Sequence, residues 1–256
     1  AIVSSGGYMA VAIDTNTPKA GIVVAGSTGV ELARWKFSAS SSPEAISVTG
    51  LIATTTLTTA TVSSISNLVL SATIDGVASS WTGVALTGLA TNERADFGNL
   101  MAINPLVIPA GKEAVVSLKA DIASWPTAPS GGIVTVALAS TTYKGESDPT
   151  SATVYAVGTA QTLYKSKPTV TLTAQPTPGG TFSDGTQTLL KFRIAADAKG
   201  AIDLSRVNIK VAINDIATST SNLYLSAIKL YEVGDTTVLN DTVLINATTT
   251  ATYADY

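Results

Sequence analysis

The sequence predicts an all-β protein made of two tandem β-sandwiches, and three observations carry that expectation. Short runs rich in Val, Ile, Thr and Tyr alternate with Gly, Pro, Asn and Asp, which is the pattern of strands divided by turns. No long stretch repeats its apolar residues at helical spacing. Four phrases recur in the same order at a nearly constant offset, which marks an internal repeat.

Each element follows from its alternation. "GIVVAG" (residues 21–26) has the length of a strand and falls far short of the roughly 18 apolar residues a membrane helix needs. In "ELARWKFSA" (31–39), Ala33, Trp35, Phe37 and Ala39 share one face, while Arg34, Lys36 and Ser38 share the other. "EAVVSLKADI" (113–122) turns Ala114, Val116, Leu118, Ala120 and Ile122 inward, and follows the turn signal "IPAGK". "GGIVTVALAS" (131–140) is a further strand after a glycine pair.

The repeat fixes the organisation. "LARWKF" from Leu32 matches "LLKFRI" from Leu189, an offset of 157, so that Trp35 corresponds to Phe192. "SNLVLSA" from Ser66 matches "SNLYLSA" from Ser221 at 155, and "ADF" from Ala95 matches "ADY" from Ala254 at 159. "VAIDTNTP" (11–18) is echoed by "VTLTAQPTP" (170–178). The expected division is an extension over 1–7, a first sandwich over 8–160, a linker over 161–167 and a second sandwich over 168–256. Pro168 stiffens the junction, which favours a rod-like pair. After "ADY" the counterparts of the last strands of the first copy do not follow. The second sandwich is therefore expected to be incomplete in this chain, either truncated or completed by a partner.

Composition sets the class. The chain is 45% hydrophobic and only 13% charged, with a formal net charge of −3, so neither nucleic acid nor an anionic membrane is an expected partner. Cysteine and histidine are both absent, which removes disulfides, thiolate metal sites and nucleophiles activated by His. The chain opens on Ala1 with no basic segment before it, as a processed, exported protein would.

The candidate sites are few. Asp75, Asp96 and Asp121 each fall at a strand end or on an outward face, so they do not form the facing carboxylate pair of a glycosidase. "SDG" (183–185), Asp197, "IND" (213–215) and "GD" (234–235) offer oxygen ligands without the spacing of a calcium loop, and read as turns. No cofactor, metal or catalytic residue is expected. Lys36 and Lys191 point outward, away from the burial that an internal isopeptide crosslink requires. Trp81 and Trp125 lie in "SSWTG" and "ASWPT" and are expected to anchor loops or pack between domains, the alternative being a sugar platform. Asn240 and Asn246 head the sequons "NDT" and "NAT", candidate glycosylation sites. The segment "AIVSSGGY" has no counterpart in the second copy. Ala1, Ile2, Val3 and Tyr8 are thus candidates for a strand donated to a neighbouring subunit, whereas Val11 to Ile13 is expected to pair within its own sheet.

Taken together, "GVELARWKFSA", "EAISVTGLIA", "ISNLVLSA", "LVIPAGKEAVVSLKADI" and "TLYKSKPTVTL" resemble the Ig-like repeat domains of large prokaryotic cell-surface proteins. The resemblance covers nearly the whole chain through strand faces and turns. It implies export, a location at the cell surface, tandem repetition and a part in a surface layer, stalk, filament or adhesin. The expected role is an extracellular structural subunit that assembles with copies of itself through strand contacts. The alternative is an adhesin or carbohydrate-binding module whose partner is a glycan.

Overall fold

The computed structural model describes residues 7–87, 93–145, 149–152, 156–174, 185–204, 207–211, 228–234, 237–240, 244–248 and 251–255. They are nearly all β. The chain divides into two compact units, Ala1–Ala201 and Ile202–Tyr256.

Twelve strands build the sandwich of the first unit: β1 (Ala10–Ile13), β2 (Gly21–Val24), β3 (Val30–Ser38), β4 (Ile46–Thr58), β5 (Ile65–Ile74), β6 (Val77–Val84), β7 (Glu93–Asp96), β8 (Leu106–Ile108), β9 (Glu113–Ile122), β10 (Ile133–Lys144), β11 (Pro149–Ala152) and β12 (Ala156–Tyr164). One sheet runs in the order β1-β3-β9-β5-β6. The other runs β2-β12-β10-β4-β7, with β11 added to β10 and β8 to β4. Every pairing is antiparallel except β2 on β12.

The inward faces are those that alternation predicts. Ala33, Trp35, Phe37 and Ala39 are fully buried, and so in effect are Ala114, Val116, Leu118, Ala120 and Ile122 opposite. Val134, Val136 and Leu138 of β10, Leu163 of β12 and Ile46, Val48 and Leu51 of β4 complete the core. The Trp35 indole N–H donates to the Ala156 carbonyl at 3.2 Å, so even the polar atom of the largest core residue is satisfied. Bulges interrupt β10 where its register against β12 and β4 shifts. Burial follows Val134, Val136 and Leu138 and then changes phase to Thr141 and Tyr143 across the shift between Leu138 and Ser140.

Two features depart from the sequence expectation. A short helix, α1 (Gly98–Ile103), follows β7, and a 3₁₀ turn spans Val62–Ser64. At six and three residues both are too short to show helical periodicity. The expected linker is also shorter: β12 continues to Tyr164, with Leu163 fully buried, and only residues 165–167 precede the next strand.

Beyond β12 lie β13 (Pro168–Ala174) and β14 (Lys191–Ala196), then β15 (Asn208–Val211), β16 (Leu230–Tyr231), β17 (Val238–Asn240), β18 (Leu244–Thr248) and β19 (Ala251–Asp255). Three of their four pairings have counterparts in the first sandwich, and that of β16 with β17 does not. Val11 faces Phe37 and Ile13 faces Trp35; at offsets of 159 and 157, Val170 faces Ile194 and Leu172 faces Phe192. Ala53 faces Ala95 and Ile52 faces Asp96; at 156 and 159, Ile209 faces Ala254 and Asn208 faces Asp255. The bridge between Thr87 and Arg94 recurs, at 159, as Asn246 opposite Tyr253. The strand pairings therefore recur as well as the letters. The β13–β14 pair belongs to the first compact unit, β15 to β19 to the second.

Trp35→Ala is expected to lower the unfolding free energy of the first sandwich by about 3–5 kcal/mol, the range for an emptied aromatic core site, measured by urea titration. Phe192→Ala, at the equivalent but only partly buried position, is expected to cost less than half as much.

Candidate functional site

The acidic residues singled out by sequence are placed apart, each with its own partner. Asp75 forms the β5–β6 turn with Gly76, φ 47° and 84°, and its carboxylate sits 3.2 Å from Lys112 Nζ. Consecutive positive φ values identify a two-residue hairpin turn of the primed type. Asp96 accepts the N–H of Gly98 at 2.9 Å and pairs with Arg94 at 2.7 Å. Asp121 accepts the N–H of Gly29 at 2.7 Å and the Asn67 side-chain amide at 3.0 Å. Asp197 accepts the N–H of Lys199 at 3.0 Å, a turn of the Asx kind. Among the described residues no three Asp or Glu side chains converge as metal ligands would. Residues 183, 184, 213–215 and 235 lie outside the described residues.

Lys36 lies on the outer face of its sheet, with Nζ 2.7 Å from Glu113 Oε2. Arg34 beside it forms a bidentate pair with Glu31, both bonds 2.8 Å. The hydroxyls of Ser71 and Ser117, 2.8 Å apart, close the same face between β5 and β9.

The tryptophans separate. Trp81 sits within β6, is 3% exposed, and donates its indole N–H to the Asn104 carbonyl at 2.8 Å. It belongs to the core and fastens the segment after α1, so it offers no sugar platform. Trp125 is 52% exposed, with Lys165 Nζ 4.6 Å from its ring centroid.

The remaining candidates are surfaces. At the amino-terminal end Gly7 is buried, and a side chain there would meet Ile46, Glu44 and the backbone of Gly145. A Cβ there would force the ends of the Ile46 and Glu44 side chains to move. The Tyr8 N–H then donates to Ser42 Oγ at 3.3 Å, while the residue stays 56% exposed. Val11 to Ile13 pairs with β3 in its own sheet, as expected. Ala1, Ile2 and Val3 lie outside the described residues. On the β13–β14 pair, Val170 and Leu172 are 62% and 57% exposed. Asn240 ends β17 opposite Leu230, and Asn246 lies in β18 opposite Tyr253.

Sequence reasoning missed one surface. β6 closes its sheet and, among the described residues, pairs only with β5. It is an open edge eight residues long, and the lack of any charge in "VASSWTGV" was the signal for it.

No family model and no curated protein matches this chain. Among solved structures it is similar to the major pilin subunit BcpA of Bacillus cereus, at 11% identity and a TM-score of 0.28, over 64% of this chain and 42% of that one. It is similar to the pilus backbone RrgB of Streptococcus pneumoniae at 11% and 0.23, over 53% of this chain and 31% of that one. The collagen-binding subdomain of the Enterococcus faecalis surface protein ACE matches at 10% and 0.24, over 60% of this chain and 95% of that one. The chain thus spans less than half of either pilin. At these values the similarity assigns neither family nor role.

Two exposed carboxylates report on the fold through pH. The Asn67 amide, and after it the Gly29 N–H, hold Asp121 below its ordinary value of 3.8. Lys36, then Ser38, hold Glu113 below 4.5. A carboxylate whose folded pKa is depressed contributes stability that is present above its unfolded pKa and is lost as pH falls through the folded one. The melting temperature is therefore expected to fall below about pH 4. Asp121→Ala is expected to melt below the parent at pH 7 and to approach it as pH falls through the folded pKa of Asp121, as read by circular dichroism.

Proposed function

We propose that this chain is an extracellular structural subunit at the cell surface that assembles with copies of itself through β-strand contacts. The recurrence of whole strand registers carries the reading: the chain repeats one pairing scheme, where a catalytic protein converges side chains on a cleft. The isolated engagement of Asp75, Asp96, Asp121 and Asp197 supports a mechanical role over a catalytic one. The low charge and the open strand edges fit assembly by backbone hydrogen bonds.

Within this reading, Ala1, Ile2 and Val3 form a strand donated to a neighbouring subunit. The buried Gly7 and the Tyr8–Ser42 bond hold the chain just after that segment to its own body, which supports the reading. Purified protein is expected to sediment as large assemblies and to show filaments or sheets by negative-stain microscopy. Deletion of residues 1–5 is expected to leave a folded, monomeric or dimeric species. Unchanged polymers in the deletion variant would rule out donation by this segment, and uniformly small particles in native material would rule out the structural role.

Trp125 supports a second reading, that of an adhesin or carbohydrate-binding module, because it is a large exposed ring on a loop. That reading expects a shift in Trp fluorescence with a glycan which Trp125→Ala abolishes.

A further inference from the structure

We infer that β6 is a two-fold docking edge, on which β6 of a second copy of this chain pairs antiparallel about Ser80. The inference deepens the assembly reading above and rests on it for its setting. Its geometry comes from the β5–β6 hairpin alone.

The two-residue turn at Asp75 and Gly76 makes Ile74 and Val77 a closely spaced, doubly hydrogen-bonded pair. Antiparallel pairs alternate in kind along a ladder. Ala72 with Ser79 and Leu70 with Trp81 are therefore the next bonded pairs. The backbone groups of Val77, Ser79 and Trp81 are thus spent on β5. Those of Ala78, Ser80 and Thr82 point the other way, out of the sheet. Among the described residues no strand meets them. The register shifts at Gly83, beyond which Val84 still pairs with Leu68.

This edge is complementary to itself. With two copies antiparallel about Ser80, Ala78 faces Thr82 of the partner subunit, Ser80 faces Ser80 of the partner subunit, and Thr82 faces Ala78 of the partner subunit. Each is the closely spaced kind of pair, so every outward N–H and C=O of the three residues finds a mate. Ala78, Ser80 and Thr82 are exposed and small, and crowd nothing on the outer face. Natural edges avoid such pairing with lysine, proline, inward charge or brevity. β1, β2, β7, β8 and β11 use brevity, at four residues or fewer. β6 uses none of these devices. The contact is isologous and closes on itself, so it joins subunits in pairs while a different contact propagates a polymer.

The absence of cysteine from the chain makes the test clean. An antiparallel bonded pair places Cα atoms about 5.5 Å apart, within disulfide range. Ser80→Cys is expected to oxidise to a covalent dimer at least tenfold faster than Thr73→Cys, which lies on β5 one strand in from the edge. Ser80→Pro removes an outward N–H without touching the β5 ladder. In a background lacking residues 1–5 it is expected to keep the parent circular dichroism and melting temperature while losing the dimer seen by sedimentation equilibrium. Equal crosslinking rates for the two cysteine variants would overturn the inference. So would dimerisation of Ser80→Pro at the parent level, or crosslinking at Ser80 that disappears when residues 1–5 are deleted. A Ser80→Pro variant that forms filaments at full length, yet is monomeric once residues 1–5 are deleted, supports pairing at β6 and separates it from propagation. If native material holds no assemblies, the structural role fails while the dimer measurements still decide this contact.

Discussion

The register of β3 between β1 and β9 is the constraint on which the rest of the first sandwich depends. Trp35 and Phe37 have no accessible surface only because Arg34 and Lys36 occupy the opposite face. A slip of one residue would put both cations into the core and both aromatics into water. Several contacts lock the same choice. The Trp35 indole reaches the Ala156 carbonyl on the facing sheet, and Lys36 and Ser38 both meet Glu113 on the neighbouring strand. What recurs 157 to 159 residues later is this rule of pairing: Phe192 stands for Trp35 and Ile194 for Phe37, with the opposing residues kept.

Once the core is closed, the edges determine what the molecule meets. A sheet ends in rows of backbone donors and acceptors that water or another strand must satisfy. Most edges of this sandwich are too short to recruit a partner. β6 differs in length, at eight residues, and carries no charge to deter a partner. Trp81 makes the difference more pointed, because its burial pins β6 firmly to its own domain while the outward amides stay available.

The sequence made the strands of the first copy legible because one face of each is buried and the other is wet, and that asymmetry is written as alternation. It made the repeat legible because inward and outward residues recur together. It did not disclose α1 or the bulges of β10, which are local adjustments of one or two turns without a period of their own. The letters "SSWTG" suggest a loop around Trp81 because they are rich in Ser, Thr and Gly. Those residues serve an edge strand equally well, and burial by the segment after α1 cannot be seen in five letters. The open edge escaped for a related reason: whether a strand is terminal depends on sheet order, a property of the whole topology.

The parallel pairing of β2 with β12 has a mechanical consequence. It zips Gly21 to Val24 onto Gln161 to Tyr164, and Gln161 Nε2 adds a bond to the Lys19 carbonyl at 3.0 Å. Tension from the amino end would meet the β1–β3 pair first and β2 next, and β12 is the strand through which it would leave. Force applied along the chain drags these two neighbours past each other lengthwise. The bonds between them lie across the pull and are loaded together, whereas a hairpin peeled from its end yields one rung at a time. A sandwich fastened in this way resists shear at the place where a tethered object would be stretched.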